Sequence, residues 1–265
     1  MTSSATALES ILKRQRMIVL SGLIGLVALA WIYLGFESTR MAEMGMAEMD
    51  MAMMQMRSWT ALETSLTFAM WAIMMVAMMV PSAAPTILLY GLVRRKKSTL
   101  EHVLAPTGAF ALGYIIAWVA FSVLATALQY FLHREAYLSA GMTLNNAVAA
   151  GLLMVAVGVY QLTPTKEACL KHCRSPAEFL SRHWRKGTGG AVILGLHHGL
   201  YCLGCCWGLM ALLFVGGVMN LLWVALLAGF VLIEKLTPMG HGAARIAGLI
   251  LLLAGGAIAL QGALA

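Results

Sequence analysis

Leu66-Thr-Phe-Ala-Met-Trp-Ala-Ile-Met-Met-Val-Ala-Met-Met-Val-Pro-Ser-Ala-Ala-Pro-Thr-Ile-Leu-Leu-Tyr90 contains no charged side chain. It exceeds the roughly 20 apolar residues that a helix needs to cross about 30 Å of hydrocarbon. Stretches of the same kind recur at residues 17–36, 105–132, 144–162, 190–217, 218–236 and 243–263. The whole chain is 61% hydrophobic and 11% charged, whereas a soluble domain carries about 25% charged residues. The expected fold is therefore all-α: a polytopic transmembrane helical bundle of about seven spans. The count falls to six if 190–217 and 218–236 form one element. Gly216-Gly217 and Met219-Asn220 between them favour a tight helical hairpin instead.

Two regions follow. Residues 1–65 hold an N-terminal anchor helix and a methionine-rich loop, and residues 66–265 form the helical membrane domain. The first apolar run is too long for a secretory signal and lacks a small-residue cleavage site, so it reads as a retained anchor. Lysine and arginine mark the cytoplasmic side of a membrane protein. Here Lys13, Arg14 and Arg16 precede the first run, Arg94, Arg95, Lys96 and Lys97 follow the second, and Lys166, Lys171, Arg174, Arg182, Arg185 and Lys186 follow the fourth. The alternate connections hold only Arg40, Arg57 and Arg134, and the first of them is acidic. This sorting predicts a membrane protein with its N-terminus inside and its C-terminus outside. It also accounts for the net charge of +7 without a nucleic-acid partner. The expected partners are the lipid bilayer, a metal ion, and further membrane subunits in a homo- or hetero-oligomer.

Three segments carry chemistry. Residues 41–56, on the outward side, hold eight methionines, among them Met44, Met46, Met49 and Met51. Thioether sulfur is a soft donor that selects Cu(I) over hard ions, although methionine also serves as an adaptable apolar filler. In the second span Met70, Met74 and Met78 recur at four-residue steps and share a helix face, with Met75 and Met79 alongside. Pro81 and Pro85 are expected to interrupt that helix and free backbone carbonyls.

The third segment, Gly195-Leu-His-His-Gly-Leu-Tyr-Cys-Leu-Gly-Cys-Cys-Trp-Gly208, puts two histidines and three cysteines into a membrane helix. Polar and ionisable groups at such depth face protein, not lipid. At 100° per residue His198, Cys202 and Cys205 fall on one face, with His197 and Cys206 at its edges. All five are candidate metal ligands, together with Met70, Met74, Met78, Met44, Met46, Met49 and Met51. Five cysteines cannot all pair, and none falls in an outward connection, so a disulfide framework is not expected. Cys169-Leu-Lys-His-Cys173 is a weaker candidate for a soft or borderline ion. Glu234, the sole acidic residue of the late spans, is either functional or held in an ion pair near the inner surface.

The segments Met70-Trp-Ala-Ile-Met-Met-Val-Ala-Met-Met-Val-Pro-Ser82, Cys169-Leu-Lys-His-Cys-Arg-Ser-Pro176, His198-Gly-Leu-Tyr-Cys-Leu-Gly-Cys-Cys-Trp207, Met219-Asn220 and Glu234-Lys235 resemble a bacterial family of predicted metal-binding integral membrane proteins, a domain-of-unknown-function family. The resemblance covers roughly residues 60–240 and implies a metal-binding membrane protein without supplying a reaction. Residues 41–56 lie outside it. Copper is the expected ion. The leading expectation is capture, storage or transfer of copper, and the alternatives are a membrane copper-dependent oxidoreductase and a thiol redox protein built on Cys202-Leu-Gly-Cys205. No phosphate-binding loop of an ATPase accompanies these segments.

Overall fold

In the computed structural model, residues 2–48, 59–94, 101–139 and 142–264 are described. These residues form ten helices: α1 (Thr2–Glu48), α2 (Ala61–Arg94), α3 (Glu101–Arg134), α4 (Ala147–Gln161), α5 (Pro164–Arg174), α6 (Pro176–His183), α7 (Gly187–Ala211), α8 (Leu213–Gly216), α9 (Leu221–Leu236) and α10 (Gly240–Leu264). An all-helical solution follows from the solvent. In hydrocarbon every backbone N–H and C=O has to be satisfied inside its own segment, and a helix does that.

Helix starts carry the expected chemistry. Thr60 and Glu63 form a reciprocal capping box ahead of α2, with the Thr60 N–H donating to Glu63 Oε2 at 2.8 Å and the Glu63 N–H to Thr60 Oγ1 at 3.3 Å. Asn146, Thr163 and Asn220 accept from the first turns of α4, α5 and α9.

Among the described residues, five helical stretches are long and apolar enough to span a membrane: Arg16–Arg40, Ala61–Arg94, Leu104–Arg134, Gly187–Gly216 and Gly240–Leu264. A sixth arises if α4 and α5, bent by 63° at their junction, count as one broken span. The described residues thus give the polytopic helical bundle with five or six spans, fewer than seven because two of the expected ones are short. Helix α4 has 15 residues and α9 has 16, about 23 and 24 Å at 1.5 Å per residue, against about 30 Å of hydrocarbon. Pro164 at the start of α5 ends α4, since it has no N–H to continue the ladder.

The hairpin expected after α7 is present. Gly217 turns with φ 96°, and the Asn220 side chain caps α9 by accepting from the Trp223 N–H at 3.2 Å. A second departure concerns α1, whose backbone stays helical to Glu48, well past residue 36. The third is α2, which runs unbroken through Pro81 and Pro85. Beside the first of these prolines, Ser82 Oγ and the Tyr114 hydroxyl both donate to the Met79 carbonyl, at 2.8 and 2.9 Å, which ties α3 to α2 at that point.

Helix α3 packs along α7 and α10 along α4, while α2 lies against α1, α3 and α9. A Cβ on Gly195 would stand 1.9 Å from the Phe110 carbonyl oxygen, and one on Gly113 2.0 Å from that of Val192. Missing side chains therefore set how closely α3 and α7 approach. Trp71, Met74, Met78, Tyr90, Phe110, Tyr114 and Trp118 fill the centre. Leu29, Ile32 and Phe36 of α1 stay exposed, as a lipid-facing helix requires.

Candidate metal centre

The inward face of α7 is built by helical periodicity. His198, Cys202, Cys205 and Cys206 are all at most 2% exposed, and steps of three and four residues keep them on one side of the helix. The Cys205 and Cys206 thiols donate to the Cys202 carbonyl at 3.1 and 2.7 Å, which orients both sulfurs.

Four other helices reach this face. Helix α5 brings Cys173, whose Sγ is 4.0 Å from Cys205 Sγ. It also brings Cys169, whose sulfur lies where a Cβ on Gly204 would come within 2.8 Å. From α2, Met79 Sδ is 3.8 Å from Cys206 Sγ. Helix α9 inserts Lys235, which donates from Nζ to Cys202 Sγ at 2.8 Å and to Ser82 Oγ at 3.2 Å. The Tyr114 hydroxyl of α3 is 3.0 Å from the same Cys202 sulfur. All five cysteines of the chain are free thiols on α5 and α7.

Metal–sulfur bonds of about 2.3 Å place two sulfurs on one ion about 3.8 Å apart at a tetrahedral angle and about 4.6 Å apart when linear. The Cys173–Cys205 and Cys206–Met79 separations, 4.0 and 3.8 Å, fall within that interval. The sulfurs meet in pairs. Among the described residues no group of three or more His, Cys, Asp or Glu side chains is arranged to hold a metal ion. His198 Nδ1 is buried without a hydrogen-bond partner, so an imidazole nitrogen one turn before Cys202 has its bonding capacity unspent.

The remaining expected ligands are placed differently. Met70, Met74 and Met78 are buried along α2 with Met75 and Met79, and Met79 meets a cysteine sulfur. His197 sits at the rim, its ring 4.8 Å from that of His183 and 5.1 Å from that of Tyr201. His172 stacks on Tyr201 at 4.2 Å. Met44 and Met46 fall in the helical backbone of α1, but their side chains lie outside the described residues, as do Met49 and Met51 altogether.

Glu234 is ion-paired, as one of its two expected roles required, but deep inside. Its Oε1 lies 2.5 Å from Lys166 Nζ and accepts from Gln161 Nε2 at 3.3 Å, and both charged side chains are 1% exposed. Lys166, counted among the charges that mark the cytoplasmic side, is thus a core residue. Arg174 donates to the Glu234 and Thr237 carbonyls at 2.9 and 2.6 Å, tying α5 to the end of α9.

Sequence reasoning left Tyr114 and Lys235 out of the site, read Cys173 as part of a separate, weaker one, and gave Met79 only as a neighbour of the methionine stripe. For Lys235 a signal was available: a lysine within an apolar run needs a partner, and its neighbour Glu234 drew the attention.

The family model described as PpoB2, copper chaperone, matches residues 68–258, a range that contains every contact of the sulfur cluster. No curated protein and no solved structure gives a significant match to the chain. With 68–258 matched in a chain of 265 residues, this α-helical chain belongs to the PpoB2 copper-chaperone family.

Proposed function

We propose that this protein handles copper within the bacterial inner membrane, holding Cu(I) on sulfur donors at the crossing of α2, α5 and α7 and passing it on as cargo. The observation that carries this reading is the convergence of five cysteines and Met79 from three helices distant in sequence. Soft thiolate and thioether donors favour Cu(I). Sulfurs that meet in pairs suit an ion that accepts few ligands, and an imidazole without a partner, His198, stands one turn away.

Capture is assigned to the outward methionines of residues 41–56, including Met44, Met46, Met49 and Met51. From there the buried stripe of Met70, Met74 and Met78 leads along α2 toward Met79 and the cysteines. His197, at the rim with His183, belongs to the opposite approach. The N-terminus is inside and the C-terminus outside.

Metal analysis of purified, detergent-solubilised protein tests the reading. Copper near one equivalent is expected after expression with copper, with zinc far below it. Protein that stays copper-free when loaded anaerobically with Cu(I) would refute it. Replacing the eight methionines of residues 41–56 by leucine keeps their apolar volume and removes the soft donors. Copper uptake should fall while protein abundance holds, and an unchanged response would remove the loop from the pathway. A cysteine introduced at Asp50 should react with an impermeant reagent in intact cells; labelling only after lysis would invert the orientation.

A further inference from the structure

A lysine in the middle of a cysteine cluster is an unusual choice for a site that takes cations. Lys235 is 6% exposed, and its Nζ donates to Cys202 Sγ at 2.8 Å and to Ser82 Oγ at 3.2 Å. The adjacent carboxylate is already committed, since Glu234 pairs with Lys166 and Gln161. The Lys166–Glu234 pair is neutral as a unit. Among the described residues, no carboxylate lies within ion-pair distance of Lys235, so the charge of its ammonium is directed at the sulfurs.

That fixed charge acts on any ion the sulfurs hold. Repulsion scales with the charge of the ion, so a divalent cation is opposed twice as strongly as a monovalent one at the same place. Cysteines ligate as thiolates. Where the Lys235-bound Cys202 is one of two ligating thiolates, those thiolates, the ammonium and a monovalent ion sum to zero. A divalent ion on the same pair leaves one uncompensated positive charge inside the bilayer, which is costly. The hydrogen bond to Cys202 Sγ also draws electron density from a donor sulfur, weakening it most toward the more highly charged ion.

We infer that Lys235 is the specificity-determining residue of the sulfur site: its buried ammonium confines the site to a monovalent soft cation and disfavours divalent thiophilic ions. This inference rests on the copper-holding reading above. Cysteine clusters in general accept Zn²⁺ readily, so the discrimination comes from the lysine and not from the sulfurs.

The test compares Cu(I), Zn²⁺ and Cd²⁺ on full-length protein in detergent, with chelator competition for the affinities. Wild-type protein is expected to bind Cu(I) and to take Cd²⁺ and Zn²⁺ weakly. Lys235→Gln, a neutral side chain that still donates to sulfur, should raise Cd²⁺ affinity relative to Cu(I) by at least roughly tenfold. Lys235→Arg, which keeps the charge, should retain the wild-type ratio. An unchanged ratio in inserted Lys235→Gln protein overturns the inference. So does wild-type protein that binds Cd²⁺ as tightly as Cu(I), a measurement that decides the matter even if neither variant inserts. Wild-type protein that binds Cd²⁺ but no Cu(I) sinks the copper reading and the selectivity role together, whereas Cu(I) binding without discrimination sinks only the latter.

Discussion

Along α4 and α10 the contact is backbone against backbone: a Cβ at Gly151 would lie 2.5 Å from the Ala259 nitrogen, and one at Gly255 2.7 Å from the Gly151 oxygen. Where α7 meets α2, α3, α5 and α9, the contact is made instead of thiols, a thioether, a tyrosine hydroxyl and a buried lysine. Lipid tails are as apolar as leucine, so neither contact gains from hydrophobic burial in the ordinary sense. The α4–α10 pair gains dispersion by close approach and buries nothing costly. The α7 crossing buries a charge and several thiols that hydrocarbon alone would reject. Stability alone accounts for the first contact; the second needs a function to explain why its polar groups are kept.

The difference can be broken most sharply at the crossing itself. Replacing His198 and Cys202 together by Ala and Ser removes two donor atoms one turn apart, and copper should disappear from purified, correctly inserted protein. Leu203→Ala, which removes packing and no donor, should keep the wild-type copper content at some expense in thermal stability. Copper retained by the double variant would shift the site to the stripe from Met70 to Met79 and reduce the α7 residues to packing.

Next in size is the ion pair that braces the crossing. Glu234→Ala leaves Lys166 buried without its counter-charge, and about 3–5 kcal/mol of stability should be lost. Lys166→Met combined with Glu234→Leu removes both charges and should recover most of it, read as thermal unfolding in detergent. A double variant as unstable as Glu234→Ala would mean that the charges are not coupled.

Smaller effects are expected on the other side of the comparison. Gly151→Leu overpacks the α4–α10 contact and should cost about 1–3 kcal/mol, with copper content per folded molecule unchanged. Loss of copper at constant fold would show that the two regions are linked. Gly229, whose Cβ would meet nothing within 4 Å, gives the smallest change: Gly229→Ala should stabilise α9 by up to about 1 kcal/mol.

Several of these groups are legible in the one-dimensional chain. Steps of three and four residues put His198, Cys202, Cys205 and Cys206 on one helix face regardless of neighbours, because the α-helix fixes 100° per residue. The cost of ionisable groups in hydrocarbon makes the same residues, and Glu234, stand out before any packing is known. The exact lengths of α4 and α9 were harder to read. The apolar run at 144–162 does not record that the chain bends by 63° into α5 at its end.

By itself the sequence determined that the chain lives in a bilayer, that it is helical, and which face of α7 turns inward, since each depends only on composition, run length and helical period. Tertiary structure alone decided that Cys173 meets Cys205, that Met79 meets Cys206, and that Lys235 points at Cys202 while Glu234 turns to Lys166. Those partners are separated by tens of residues, up to 127 for Met79 and Cys206. Which of them touch depends on how closely the helices approach, and that is set by side chains missing at positions such as Gly113 and Gly195, a property of pairs of helices that no single helix contains.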